Sequence, residues 1–161
     1  MFKEFFVREI MMAIKRPMVW IFFFVITLLV FAAVVSDNVV IGGSVGNVYK
    51  NAPHIITIYT VVFTLFGLLI AAAFFNNAAL RDYNYKFNEI LFSTPLSKSG
   101  YYFGRFMGAW VLSIIPLFGI YLGFILGAEI GPAMGWLDAD RIGDFYFDSF
   151  LNNFLLFMVP N

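Results

Sequence analysis

"MVWIFFFVITLLVFAAVV", residues 18–35, is the stretch whose reading decides the fold. It holds 18 residues and no charge. At about 1.5 Å per residue it reaches roughly 27 Å as a helix, close to the roughly 30 Å of a bilayer's hydrocarbon core. A surface helix of a soluble protein keeps one polar face, and this stretch has none. It reads as a membrane span.

The rest of the chain agrees. Of 161 residues, 61% are hydrophobic and 12% charged, with a mean hydropathy of +0.86. A soluble domain carries about a quarter of its residues as charges. The formal net charge of zero implies no nucleic-acid or other polyanionic partner. Cysteine is absent, which removes disulfides, thiolate chemistry and Cys metal sites. His54 is the single histidine and cannot build a histidine metal cluster alone. The residues therefore mark no catalytic group, no metal and no cofactor.

Three more apolar runs follow. The pattern predicts spans over residues 18–35, 55–80 and 101–128, and a partial fourth over 149–161, where LNNFLLFMV is too short to cross a bilayer. The expected fold is all-α: a polytopic helical membrane protein, read as the N-terminal part of a longer transporter-type domain. Lys3, Arg8, Lys15 and Arg16 precede the first span, and Arg81, Lys86, Lys98 and Arg105 lie between the second and third. The remaining connections hold only Lys50 and Arg141. The positive-inside rule then puts the N-terminus and residues 81–105 in the cytoplasm, in a multi-pass protein of the cell (plasma or inner) membrane. The first run is longer than the 7–15 apolar residues of a signal peptide, so it reads as a span.

Residues 2–16 form a patterned leader. As a helix, Phe2, Phe6, Ile10, Ala13 and Ile14 line one face, and Glu4, Arg8 and Lys15 cluster opposite, while Lys3, Glu9 and Arg16 blur the pattern. A basic amphipathic helix beside a span is expected to lie in the membrane interface. Pro17 ends it and lets the chain turn into the bilayer.

Within the third span Gly119, Gly123, Gly127 and Gly131 recur every fourth residue, and Gly104 and Gly108 share that spacing. Such a ridge lets another helix approach closely, within the chain or in a dimer. Pro116 should kink this span. Asp138, Asp140 and Asp144 do not complete a calcium loop, because Ile142 and Ser149 fall where ligands belong. Trp136, Phe145, Tyr146 and Phe147 suit an outer membrane boundary. Asn76 and Asn77 mark the exit of the second span into the headgroups.

The cytoplasmic stretch between spans two and three is patterned too. Tyr83, Phe87, Ile90 and Leu91 form one helical stripe, predicting a short amphipathic helix over 82–93. Pro95 biases Thr94 away from helix, and Ser97 or Ser99 can cap the next one. A stripe, a stop and a cap together suit docking of a partner.

At this point "NEILFSTPLSKSGYYFGRF", behind an amphipathic leader and two spans, resembles the permease subunit of ATP-binding-cassette exporters of the type-two class. The matching residues are Glu89, Leu91, Thr94, Pro95, Leu96 and Ser97, with Gly104 and Arg105 opening the third helix. The resemblance implies that Tyr83, Phe87, Glu89, Ile90, Leu91, Thr94 and Pro95 contact an ABC ATPase subunit. It also implies a second permease half or homodimer and a lipid bilayer as partners, with ATP hydrolysed in the partner subunit. Some long relatives join two permease halves to a zinc aminopeptidase; this sequence holds no peptidase motif. Two other readings compete: a membrane-embedded enzyme whose catalytic residues lie beyond residue 161, and a non-transporting membrane anchor or assembly protein.

Overall fold

The computed structural model describes residues 2–36, 48–86, 93 and 97–160. It is all-helical, with no strand among the described residues. Helix α1 spans Phe2–Ile14, α2 Pro17–Val35, α3 Pro53–Asn84, α4 Lys98–Ile114 and α5 Phe118–Ala133. A 3-10 turn, Ile115–Leu117, joins α4 to α5. A second, Ala139–Arg141, precedes α6, Phe147–Asn153, which runs into a π-helical turn at Phe154–Met158. Three segments are long and apolar enough to cross a membrane: Pro17–Val35, Pro53–Arg81 and Lys98–Ala133.

Proline and glycine set the boundaries. Arg16 is extended (φ −82°, ψ 135°) and Pro17 opens α2, where its fixed φ suits the first turn and its missing N–H costs nothing. Pro53 opens α3 in the same way. Pro116 tightens the third span into the 3-10 turn without ending it, since the helices on either side resume the ladder. The end of α5 is a Schellman motif. Trp136 N–H donates to Gly131 O (3.0 Å) and Gly135 N–H to Pro132 O (3.0 Å). Gly135 itself has φ +69° with open space around it, so glycine serves conformation there and not packing.

The bundle centres on α2, α3 and the broken α4–α5 rod. Val30 and Val34 of α2, Ile56 and Tyr59 of α3, and Leu117, Ile120 and Phe124 of the rod are buried together. Tyr59 meets Phe124 edge-on at 5.3 Å, and Tyr121 meets Phe150 of α6 at 5.0 Å. Tyr121 also donates to Phe150 O (2.8 Å), and Trp110 Nε1 to Val159 O (3.1 Å), holding α6 and the π turn against the rod. Buried hydroxyls satisfy themselves locally: Thr27 donates to Phe23 O, Thr60 to Ile56 O and Ser113 to Trp110 O, the usual solution for a hydroxyl on an apolar helix.

Outward surfaces are as apolar as the core. Only 33% of α2 is buried inside the protein, and Phe24, Leu28, Leu65 and Leu69 are exposed. In water such a surface would cost about 25 cal/mol per Å². In hydrocarbon it costs nothing, which fits a multi-pass membrane protein.

The glycine ridge faces α2 of the same chain. A Cβ on Gly119 would stand 2.7 Å from Phe23 O, and one on Gly123 2.7 Å from Thr27 O. On Gly127 it would meet Val34 Cβ at 2.9 Å.

Some boundaries differ from the expected ones. The third span begins at Lys98 and continues to Ala133, beyond 101–128. The short helix expected over 82–93 does not begin at 82. Residues 82–84 are instead the last turn of α3, because nothing between the second span and Asn84 breaks the ladder. The chain turns at Tyr85 and Lys86. Lys86 has φ +54°, a region that costs an L-residue roughly 1–2 kcal/mol.

Candidate functional site

The two ends of the bundle are closed by polar clusters built from different chemistry. At the end carrying α1, Glu9 is the hub. Gly108 of α4 presents no side chain, and a Cβ there would lie 2.7 Å from Glu9 Cβ. That gap lets α1 sink onto α4 until Glu9 is only 4% exposed. Arg81, in the last turns of α3, then meets it as a two-pronged fork: Nη1 to Oε1 at 3.0 Å and Nη2 to Oε2 at 2.7 Å. Arg105 of α4 brings Nε to 3.6 Å from Oε2 and donates Nη1 to the Tyr101 hydroxyl. Its guanidinium also lies 5.2 Å from the Tyr101 ring centroid, and Phe5 of α1 packs edge-on against that ring. A buried carboxylate is tolerable only when its lone pairs are met by such donors.

One side chain of α1 thus ties together α3 and α4. Arg81 is the last basic residue before the turn at Lys86, and Arg105 lies on the second turn of α4. The clamp therefore brackets residues 82–104. Beside it Arg16, at the α1–α2 elbow, donates Nη1 to Asn77 Oδ1 of α3 at 2.7 Å.

The opposite end is stitched by a lysine and an asparagine. Lys50 Nζ donates to Val34 O (3.1 Å) and Ser36 O (2.8 Å), placing a cation on the negative end of α2. Asn51 is 1% exposed. Its Nδ2 donates to Gly143 O, and its Oδ1 accepts from Gly143 N–H at 2.8 Å. The pair mimics a strand bridge and locks the loop before α3 to the loop before α6. Tyr49 crosses Gly143 so closely that a Cβ there would stand 2.9 Å from its ring.

Of the docking residues expected from the sequence, Tyr83 sits in the last turn of α3 and is 53% exposed. Phe87, Glu89, Ile90, Leu91, Thr94 and Pro95 lie outside the described residues. Ser97 caps α4, accepting from Gly100 N–H at 3.2 Å. Among the described residues no three His, Asp or Glu side chains are grouped to hold a metal.

Sequence reasoning missed the clamp. The available signal was Glu9 itself, which stands three residues after Phe6 and four before Ala13, on the apolar stripe of α1. An acid inside such a stripe needs a cationic partner, and Arg81 and Arg105 were the basic residues flanking the cytoplasmic stretch. Lys50 and Asn51 carried no comparable signal, because their acceptors are backbone carbonyls. No family model, curated protein or solved structure matches the chain.

Proposed function

We propose that this chain is the N-terminal part of the permease of an ATP-driven exporter, and that residues 82–97 receive an ABC ATPase subunit. The observation that carries the reading is the Glu9 clamp. A segment that takes a push from a partner needs its two flanking helices joined to a common element, and α1 is that element here. The exposed Tyr83 and the family-like run from Glu89 to Ser97 support the same reading. ATP hydrolysis belongs to the partner, so this chain is not itself the enzyme. Its part is to pass the partner's nucleotide-dependent change to the spans, which requires that the partner bind the two permease states unequally.

In this reading α1 lies in the cytoplasmic membrane interface. The N-terminus and residues 81–105 are cytoplasmic, and α6 with its π turn begins a fourth span. A second permease half or a second copy completes the pathway. The test is co-purification and transport in the full-length protein. Truncating a buried apolar anchor at an interface costs about 2 kcal/mol or more, so Phe87→Ala should weaken ATPase retention while membrane insertion stays normal, and Glu89→Ala should weaken it by removing a contact to a basic or hydroxyl group of the partner. Wild-type retention and transport in both variants would overturn the docking role.

A further inference from the structure

Helix α6 carries two polar side chains to the depth at which a membrane is driest. The depth follows from contacts. Helix α2 is the shortest of the three apolar segments, 19 residues from Pro17 to Val35, so the hydrocarbon core centres near its middle, at Ile26 and Thr27. The glycine seam transfers that level to α5. A Cβ on Gly119 would meet Thr27 Oγ1 at 2.7 Å, and one on Gly123 would meet Thr27 O at 2.7 Å. Tyr121, between these glycines, therefore marks the midplane on the rod. Its hydroxyl donates to Phe150 O at 2.8 Å, and its ring meets that of Phe150 at 5.0 Å. Further on, Phe154 meets Phe118 at 5.3 Å and Val159 O accepts from Trp110. The chain from α6 onward thus runs antiparallel to the rod, with Phe150 at the midplane. Asp148 and Asn152 stand two residues to either side of Phe150, about 3 Å along the axis.

Neither faces the bundle. Phe150 and Asn153 are buried, whereas Asp148, Leu151, Asn152, Leu155 and Leu156 are exposed. Residues four apart share one face of a helix, so Asp148 and Asn152 make a polar stripe on the outward side. Lipid is a poor neighbour for it, because ionisable side chains at this depth turn to a bundle interior or to a water-filled cavity. A second copy seated on the same face would set Asp148 against Asp148 in a dry seam. Water satisfies both side chains without that conflict. Gly143, five residues before Asp148, is held by Asn51 at the end of the bundle, so the stripe begins a short way inside that end.

We propose that the outward face of α6 lines a water-filled cavity that reaches the midplane and admits polar solutes, and that the Asp148 carboxylate makes it favour cations over anions. The inference needs the three apolar helices to lie in a bilayer, and it stands whether or not an ATPase docks.

The sequence has no cysteine, so single-cysteine variants report one position each. The full chain is reconstituted in lipid vesicles with hydrophilic methanethiosulfonate reagents on both faces, which makes the readout independent of orientation. The thiolate is the reacting form and needs water, so Asp148→Cys, Leu151→Cys, Asn152→Cys and Leu155→Cys should be modified about tenfold faster than Leu28→Cys, or more. Leu28 is 66% exposed near the same depth on α2. Leu151→Cys and Leu155→Cys keep both polar side chains, so the cavity is tested even if the other two variants fail to fold. At Leu151→Cys the Asp148 carboxylate stands about 5–6 Å away, attracting a trimethylammonium reagent and repelling a sulfonate one. The cationic reagent should be about tenfold the faster, relative to the rates of both with a free thiol. Asp148→Asn in the same background should bring the two together. Rates on α6 no greater than at Leu28→Cys would overturn the cavity, whether lipid, another helix or a second copy covers the face. A reagent ratio unchanged by Asp148→Asn would overturn the cation preference.

Discussion

A single methyl group on Gly123 should unsettle the α2–α5 interface. A Cβ at that position would stand 2.7 Å from Thr27 O, 2.8 Å from Val30 Cβ and 3.1 Å from Phe31 N. Two of these are backbone atoms in a helix and cannot rotate aside, and the third is the branch point of a stiff side chain. Ordinary contact begins near 3.4 Å, so the helices must part by about 0.7 Å, a gap that forfeits a quarter to a half of each dispersion well along the seam. Overpacking of this kind costs about 1–3 kcal/mol, and the rigid neighbours place Gly123→Ala in the upper half of that range. For a chain of this length each kcal/mol moves the thermal midpoint by about 2–4 °C, so the detergent-solubilised variant should melt roughly 4–12 °C below wild type. The effect should grade along the ridge. Gly119→Ala should match Gly123→Ala, because Phe23 O is equally close. Gly131→Ala should be mild, because its nearest neighbour is a side chain at 3.3 Å. Ile125→Ala, on the exposed side of α5, is the control. A midpoint for Gly123→Ala within 1 °C of wild type would refute the seam.

Two further outcomes are expected. Removing one partner of a buried ion pair costs about 3–5 kcal/mol, so Glu9→Ala and Arg81→Ala should each destabilise strongly. Their double variant should cost clearly less than the two together, and simple additivity in chemical denaturation would show that the pair is not coupled. In intact cells, a membrane-impermeant thiol reagent should label Ser44→Cys and spare Lys98→Cys, because basic residues mark the cytoplasmic side; the opposite pattern would invert the orientation.

The spans were legible because each is a long apolar run, and Pro17 marked its boundary for the same local reason that the structure shows. The glycine spacing was legible as a close-packing face, but its partner was not, since periodicity carries no information about which helix comes to meet it. Helix ends were less readable. No breaker separates the second span from Asn84, and the stop at Lys86 rests on a lysine in a conformation more usual for glycine. The polar clusters divide in the same way. Glu9 could have been found, because an acid on an apolar stripe demands a cation. Asn51 could not, because its partner is the main chain of Gly143, 92 positions away, and any residue but proline would present the same N–H and C=O there.

The distribution of these interactions bears on how the spans can move. Helices α2 and α5 meet backbone to backbone along Gly119, Gly123 and Gly127, and close-packed surfaces of this kind do not slide by small steps. Helix α3 is held differently. In its middle it contributes side chains such as Tyr59 and Phe63 to the core; Thr60 and Thr64 donate within their own helix, to Ile56 O and Val61 O, and the Tyr59 hydroxyl reaches Ala33 O of α2 at a long 3.4 Å. Its shorter directional ties are at its ends, through Asn51 on one side and Arg81 and Asn77 on the other. Side-chain packing can re-form after a small shift, whereas a forked guanidinium–carboxylate pair holds or lets go. A displacement arriving between α3 and α4 therefore meets its main resistance at Glu9. That makes the clamp the element whose loss should separate docking from transport: in the exporter reading, Glu9→Gln should retain the ATPase better than Phe87→Ala does, yet transport less than wild type.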